Sequence, residues 1–210
     1  MLGWFSRKPR AAPVMPPGAG TAHEAGRPLP VKPAVWGPTA PLPISLPLGE
    51  AALQRDAELR RLAALQARGA AAYLYLAETA ARICDTPLAA IALLEGDTLW
   101  FKASIGIVAA AAPAASSPCL LTIERGAGVT VIDDPASDAR FAGHPFLAAD
   151  PPIRFYAGTP LITALGVAVG TLSVGDHRPR ELSPVQLRTL ELLAHEVVQL
   201  LEARAPRDHP

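Results

Sequence analysis

The strongest structural signal lies in two neighbouring stretches, IRFYAGTPL at residues 153–161 and VAVGTLSV at residues 167–174. Both are short apolar runs rich in β-branched and aromatic residues, which strands favour. A glycine-containing turn at Ala164-Leu165-Gly166 separates them at hairpin spacing. We therefore predict an antiparallel hairpin formed by strands at residues 155–162 and 167–174.

A second hairpin is predicted upstream of the first. Residues 88–94 form a short apolar run that ends at the turn Glu95-Gly96-Asp97, and residues 98–105 follow at hairpin spacing. Residues 129–132 are a further strand candidate. Between them, residues 108–118 form an alanine, proline and serine stretch without a defined pattern, and residues 119–123 are too short to assign by periodicity.

Helices are predicted on both sides of these strands. Residues 50–84 are rich in Ala, Leu, Glu and Arg, which are strong helix formers. Gly69 is a plausible break before a second helix at about residues 71–84, and Pro87 stops that helix. The first helix is predicted to present an apolar stripe made of four leucines: Leu53, Leu59, Leu62 and Leu65.

The C-terminal helix has the clearest start. Ser183-Pro184-Val185-Gln186 combines an N-cap serine, proline at the first helical position and a capping-box glutamine. Apolar residues then recur at three- and four-residue steps along residues 187–201. The order helix, hairpin, irregular middle, hairpin, helix predicts the α+β class, with an antiparallel sheet covered by the terminal helices on one face.

Bulk composition narrows the function classes. The 19 basic and 19 acidic residues balance, which argues against a dedicated nucleic-acid binder. Only two cysteines occur, too few for a disulfide framework, which fits a reducing compartment. Because no apolar run approaches ~20 residues and the N-terminus lacks the apolar core of a secretory signal, we expect a cytoplasmic protein without a membrane span.

Composition also suggests the domain boundaries. Residues 1–48 hold 11 of the 23 prolines and are predicted to be a disordered Pro/Ala-rich arm. Residues 49–69 are assigned to an N-terminal helix and linker, and residues 70–204 to one folded domain. Residues 205–210 are predicted to be a disordered tail, and any output is expected to act in trans.

Several motifs in the correct order resemble one family. They are Leu99-Trp100-Phe101-Lys102-Ala103, Asp134, Asp138-Ala139-Arg140-Phe141, residues 153–161 and Gly170-Thr171-Leu172-Ser173-Val174. Together they resemble a large bacterial group of GAF domains over about residues 70–204. A string of ordered motifs is far more specific than one short motif.

The resemblance implies a fold and a function. The fold is a central antiparallel sheet of about six strands, with the N- and C-terminal helices on one face and a loop-enclosed ligand pocket on the other. The function is small-molecule sensing, with signalling through a homodimer of the terminal helices or through a partner protein. A ligand-free dimerisation or scaffold domain is the alternative, favoured by the alanine-rich residues 108–115.

Six residues are candidate ligand contacts in this reading, although neither the ligand nor a cofactor is identified: Phe101, Cys119, Asp134, Phe141, Arg154 and Tyr156. Arg140 or Arg154 pairs either with an anionic ligand or with the nearby aspartates. Asp134 and Asp138 are interpreted as turn-organising residues. They are not interpreted as metal ligands, because their spacing lacks the alternating donors of a calcium loop.

An enzyme is the least favoured alternative. A GAF-fold thiol reductase would need a low pKa at Cys119 and a second cysteine to resolve it. Cys84 lies 35 positions upstream on a helix expected to cover the opposite face. No linear catalytic motif is present either. We therefore interpret Cys119 as a buried thiol and expect no enzymatic activity.

Overall fold

A computed structural model of the chain describes residues 49–66, 70–138, 141 and 150–205. The predicted arm at residues 1–48 and all but the first residue of the predicted tail lie outside the described residues. So does Arg140, one of the two arginines considered as a partner for an anion.

The centre of the fold is a six-stranded sheet in which every neighbouring pair is antiparallel, in the order β3-β2-β1-β6-β5-β4. The α+β class and the sheet of six strands are therefore confirmed. The strands are β1 Leu88–Glu95, β2 Thr98–Ile105, β3 Ala111–Pro113, β4 Thr130–Ile132, β5 Phe155–Ile162 and β6 Ala168–Asp176.

The two predicted hairpins meet at the middle of this sheet. β1 and β2 form one hairpin and β5 and β6 the other, and β1 pairs with β6. Gly96 and Gly166 lie in the two turns with φ of +56° and +76°, a backbone conformation that side chains disfavour. The pairing of β1 with β6 therefore joins the two hairpins into one sheet.

In the described part of the chain, four α-helices accompany the sheet. They are α1 Glu50–Arg61, α2 Ala70–Cys84, α3 Cys119–Arg125 and α4 Pro184–Ala203, with a 3₁₀ turn at Ala114–Ser116. The capping box of α4 is confirmed: the Ser183 hydroxyl accepts from the Gln186 amide, and the Gln186 side chain accepts from the Ser183 amide. α2 ends as predicted, because Asp85 has φ of +52° and the Thr86 amide bonds back to the Ala81 carbonyl.

Each face of the sheet carries its own core. The helix-side core contains side chains of α1, α2 and α4 and alternate residues of the strands, among them Tyr73, Ile91 and Val197. The opposite core, here called the pocket-side core, contains Leu88, Cys119, Leu120, Phe141 and Tyr156, with other apolar residues. Tyr156 and Phe155 thus point to opposite faces, as the two-residue period of a strand requires.

Three features differ from the sequence expectation. Residues 108–118, predicted to be irregular, contain β3 and the 3₁₀ turn, and the unassigned residues 119–123 begin α3. Small alanines produce no readable periodicity there, although they pair with β2 at the sheet edge. The four-leucine stripe is wrong at both ends. Leu65 is 37% exposed, because α1 ends at Arg61 and Ala63 takes φ of +46°, which turns the chain before Leu65. Leu53 lies within α1 and is 71% exposed.

Candidate functional site

A small cavity of about 40 Å³ lies on the sheet face opposite α2 and α4. Strand β1 lines it together with β2, β6 and the segments that precede α3 and β5. Two predicted contacts, Phe101 and Cys119, are among its lining residues. The full lining set is Leu88, Ala89, Ala90, Phe101, Ile107, Ser117, Cys119, Ile153, Ser173 and Gly175.

Small side chains on the two central strands create this space. Ala90 of β1 lies opposite Ser173 of β6, and Gly158 of β5 lies on the other side of Ser173. Leu172 and Val174 belong to the helix-side core, so strand alternation directs Ser173 to the pocket face. The small side chains of Ala90 and Ser173 thus leave a depression where larger side chains would fill the sheet surface, whereas the space over Gly158 is occupied by the Tyr156 ring.

The start of α3 supplies the polar wall of the pocket. The Cys119 amide donates to the Ser117 hydroxyl oxygen over 3.2 Å, which caps an orphan donor of the helix. Both residues are buried, at 4% and 6% exposed, and both line the cavity. Cys119 therefore presents a free thiol at the cavity wall, beside a serine hydroxyl.

Tyr156 is a buried member of the pocket-side core. Its hydroxyl lies 2.9 Å from the Thr122 hydroxyl of α3, and burial raises its pKa well above the ordinary value. Its ring covers Gly158, since a Cβ built there would lie 2.1 Å from the Tyr156 Oη. Phe141, also a predicted contact, is 4% exposed and lies in the same core. Both side chains therefore belong to the pocket-side core, but neither is among the residues that line the cavity.

Asp134 and Arg154 form an ion pair with each other. Arg154 Nε donates to Asp134 Oδ1 over 2.8 Å and Nη2 donates to Oδ2 over 2.7 Å, a two-point contact. Asp134 also accepts from the Ala136 amide, the turn-organising role expected for it. The guanidinium of Arg154 lowers the pKa of Asp134. Neither residue lines the cavity. Of the two partners considered for Arg154 from the sequence, an anionic ligand or a nearby aspartate, the structure shows the aspartate.

The second cysteine lies on the other side of the sheet. Cys84 belongs to the helix-side core and Cys119 to the pocket-side core. Burial raises the pKa of Cys84 to about 11, which disfavours its thiolate. Within the described residues, no group of three or more His, Cys, Asp or Glu side chains is arranged to hold a metal ion.

Sequence reasoning missed most of the apolar lining and both serines. The sequence does contain a signal for Ser173, because a polar residue between Leu172 and Val174 in a buried strand is unusual and marks a candidate site residue. Ser117 had no such signal, because it follows the alanine-rich segment whose structure could not be assigned. Within the described part of the chain, no helix is both long and apolar enough to cross a bilayer.

Comparison with known proteins agrees with this architecture. A family model described as "GAF domain" matches residues 59–202. A cyclic di-GMP phosphodiesterase of Pseudomonas aeruginosa is 40% identical over 111 residues, which is 53% of this chain and 18% of that protein. The chain thus spans less than a fifth of that relative.

Two solved structures share the fold at low identity. The chromophore-binding domain of a bacteriophytochrome from R. palustris is 14% identical with a TM-score of 0.54, over 73% of this chain and 61% of that one. A free methionine-R-sulfoxide reductase from Neisseria meningitidis is 17% identical with a TM-score of 0.53, over 74% and 92%. The match over residues 59–202, together with the six-stranded sheet, shows that this chain belongs to the GAF domain family.

Proposed function

We propose that this chain is a sensory GAF domain that binds a small molecule in the cavity and transmits binding to its terminal helices. The observation that carries the proposal is that strand β1 contributes residues both to the cavity lining and to the helix-side core. Leu88 and Ala90 of β1 line the cavity, whereas Ile91 packs in the helix-side core. Ala89 belongs to that core and also borders the cavity.

Displacement of β1 or β6 by a ligand would therefore reach α2 and α4 through direct packing. Interiors are close-packed, so a shift on one side of a strand has to be accommodated on the other. A ligand that prefers one arrangement of the helices moves the population toward it. This mechanism needs no catalytic step, and we expect none.

The outer surfaces of α2 and α4 favour pairing with a second copy. The Gln186 side chain donates to the Ile83 carbonyl over 3.0 Å, which places the start of α4 beside the end of α2. Large apolar side chains on these two helices remain exposed: Leu74 45%, Tyr75 68%, Ile83 40%, Val185 74% and Leu192 52%. Exposed apolar patches commonly mark interaction sites.

Native mass spectrometry of the purified chain tests the pairing. We expect a dimer of twice the 21.9 kDa chain mass for the wild type, and a monomer for Leu192→Glu. Leu53→Glu is the matched control, because Leu53 is 71% exposed but belongs to α1 and not to either of the two helices proposed to pair. A monomeric wild type, or equal dissociation by both variants, contradicts pairing through α2 and α4.

A ligand-free scaffold is the second candidate, and the size of the cavity favours it. A cavity of about 40 Å³ is far smaller than the ~150 Å³ that accommodates benzene in an engineered protein core. The thiol-reductase alternative has less support, because Cys84 and Cys119 lie in cores on opposite faces of the sheet. Two free, buried thiols also fit a reducing compartment, so we propose a cytoplasmic location.

A further inference from the structure

Lys102 occupies a β-bulge in β2. Phe101 and Ala103 pair with adjacent residues of β1, so Lys102 between them has no partner on that strand. An extra residue of this kind bends a strand and redirects its side chains. In a regular strand, residues two apart point to the same face. Here Phe101 lines the cavity, whereas Ala103 packs in the helix-side core, so the bulge exchanges the two faces of β2.

The Lys102 ammonium binds the connection between α1 and α2, of which residues 62–66 are described. Its Nζ donates to the Ala64 carbonyl over 2.5 Å and also to the Gln66 carbonyl. The same nitrogen lies 5.3 Å from the centre of the Tyr73 ring, which belongs to α2. Two of the three ammonium donors thus go to backbone carbonyls of the connection. A side chain of β2 therefore fastens the segment between two helices.

The connection contains a strained residue that depends on its surroundings. Ala63 has φ of +46°, a left-handed conformation that is unfavourable for alanine. Such strain persists only where neighbouring contacts hold the chain. Leu62 and Ala64 are buried in the helix-side core, and Lys102 holds the Ala64 carbonyl. Release of that carbonyl would remove one of the contacts that maintain the turn.

Neutral groups and an aromatic ring hold the Lys102 charge. Among the described residues, no Asp or Glu forms an ion pair with it. Burial lowers the pKa of Lys102, and so does the Arg204 guanidinium, which lies 5.9 Å from the Tyr73 ring. Removal of the ammonium therefore leaves no described carboxylate without its partner.

We propose that Lys102 is a positioning residue that carries movement of the cavity wall to the α1–α2 connection. Phe101 borders the cavity on one face of β2, and the next residue holds the connection on the other face. The inference rests on the proposed function, because it takes the cavity wall as the input. It adds a route through β2 to the end of α1 and the start of α2.

Amide hydrogen exchange of the full chain, followed residue by residue with NMR, tests this route. The backbone amides of Ala64 and Gln66 are hydrogen-bonded and report on the connection. Lys102→Met keeps an unbranched apolar stem and removes the ammonium. Arg82→Met is the matched control, because Arg82 is an exposed cation of α2 that is ion-paired within its own helix.

Exchange of the Ala64 and Gln66 amides should rise about tenfold or more in Lys102→Met, because hydrogen bonds to a charged group are lost. The amides of α4 should change less, and Arg82→Met should leave the connection unchanged. Unaltered exchange at both amides in Lys102→Met, or an equal rise throughout α4, would overturn the fastening role.

Phe101→Leu tests transmission from the cavity wall. It should alter exchange of the Ala64 and Gln66 amides at least about twofold when Lys102 is present, and leave them unchanged in the Lys102→Met background. A purely structural role of Lys102 predicts additive effects instead. An effect of equal size in both backgrounds, or none in either, would overturn transmission.

The result is separable from the proposed function. Non-additive exchange together with a monomeric wild type would support the route through Lys102 and contradict the proposed pairing of α2 and α4. Additive exchange together with a dimeric wild type would contradict the route and support the pairing.

Discussion

Gly158→Ala should destabilise the domain, although most glycine replacements in a strand do the opposite. Gly158 has ordinary extended backbone geometry within β5, so alanine alone would gain about 0.4–1 kcal/mol by restricting the unfolded chain. The added Cβ would, however, lie 2.1 Å from Tyr156 Oη and 2.6 Å from its Cζ, where ordinary contacts begin at 3.4 Å. The ring has to move.

The surroundings of Tyr156 make that movement costly. The side chain is buried, and its hydroxyl is bonded to Thr122 in α3. Overpacking costs about 1–3 kcal/mol and loss of the hydroxyl bond about 0.5–1.5 kcal/mol. Against the backbone gain, the net loss in free energy of unfolding is about 1–3 kcal/mol, or a fall of roughly 3–10 °C in Tm.

Thermal unfolding of four proteins measures this effect: the wild type, Gly158→Ala, Tyr156→Leu and the double variant. Without the tyrosine ring, Gly158→Ala should be neutral or stabilising. The double-mutant cycle should then show a coupling energy of about 2–3 kcal/mol. A Gly158→Ala protein as stable as the wild type would refute the placement of the Tyr156 ring over β5.

Two further predictions concern other parts of the domain. Arg154 lowers the pKa of Asp134 below its ordinary value of 3.8, so the ion pair contributes stability above that value and loses it as pH falls through the lower folded-state pKa. The stability difference between the wild type and Arg154→Gln in urea unfolding should therefore shrink from pH 6 to about pH 2.5; a constant difference would contradict the ion pair. Ser183→Ala removes the N-cap of α4 and should cost about 1 kcal/mol, mostly restored by Ser183→Asp, as measured by thermal unfolding. Equal stability of all three proteins would argue against that helix start.

The parts predicted well from sequence are those with a strong local signal. The hairpin of β5 and β6 has a long apolar pattern and a glycine turn, and α4 begins with a complete capping box. Both depend on contacts within a few residues or within one hairpin. The pairing of β1 with β6 is a long-range contact, and the family resemblance implied a single sheet without its strand order.

Prediction was weakest where side chains are small. β3 contains only Ala111, Ala112 and Pro113, so neither periodicity nor propensity could reveal a strand that is defined by pairing with β2. The cavity has the same origin, because Ala90 and Ser173 matter through the space that their small side chains leave open. The role of Arg154 could not be predicted for another reason. Only the distance between its guanidinium and the Asp134 carboxylate distinguishes an ion pair from a ligand contact.

Amide hydrogen exchange of the wild-type chain with and without pressurised xenon tests the coupling between pocket and helices. Xenon is expected to fill the apolar cavity and needs no hydrogen-bond partner. The sensory account predicts that exchange changes in α2 and α4 as well as in β1 and β6, because those helices pack on the strands that line the cavity. Changes confined to the lining strands, with α2 and α4 unaffected, would contradict it.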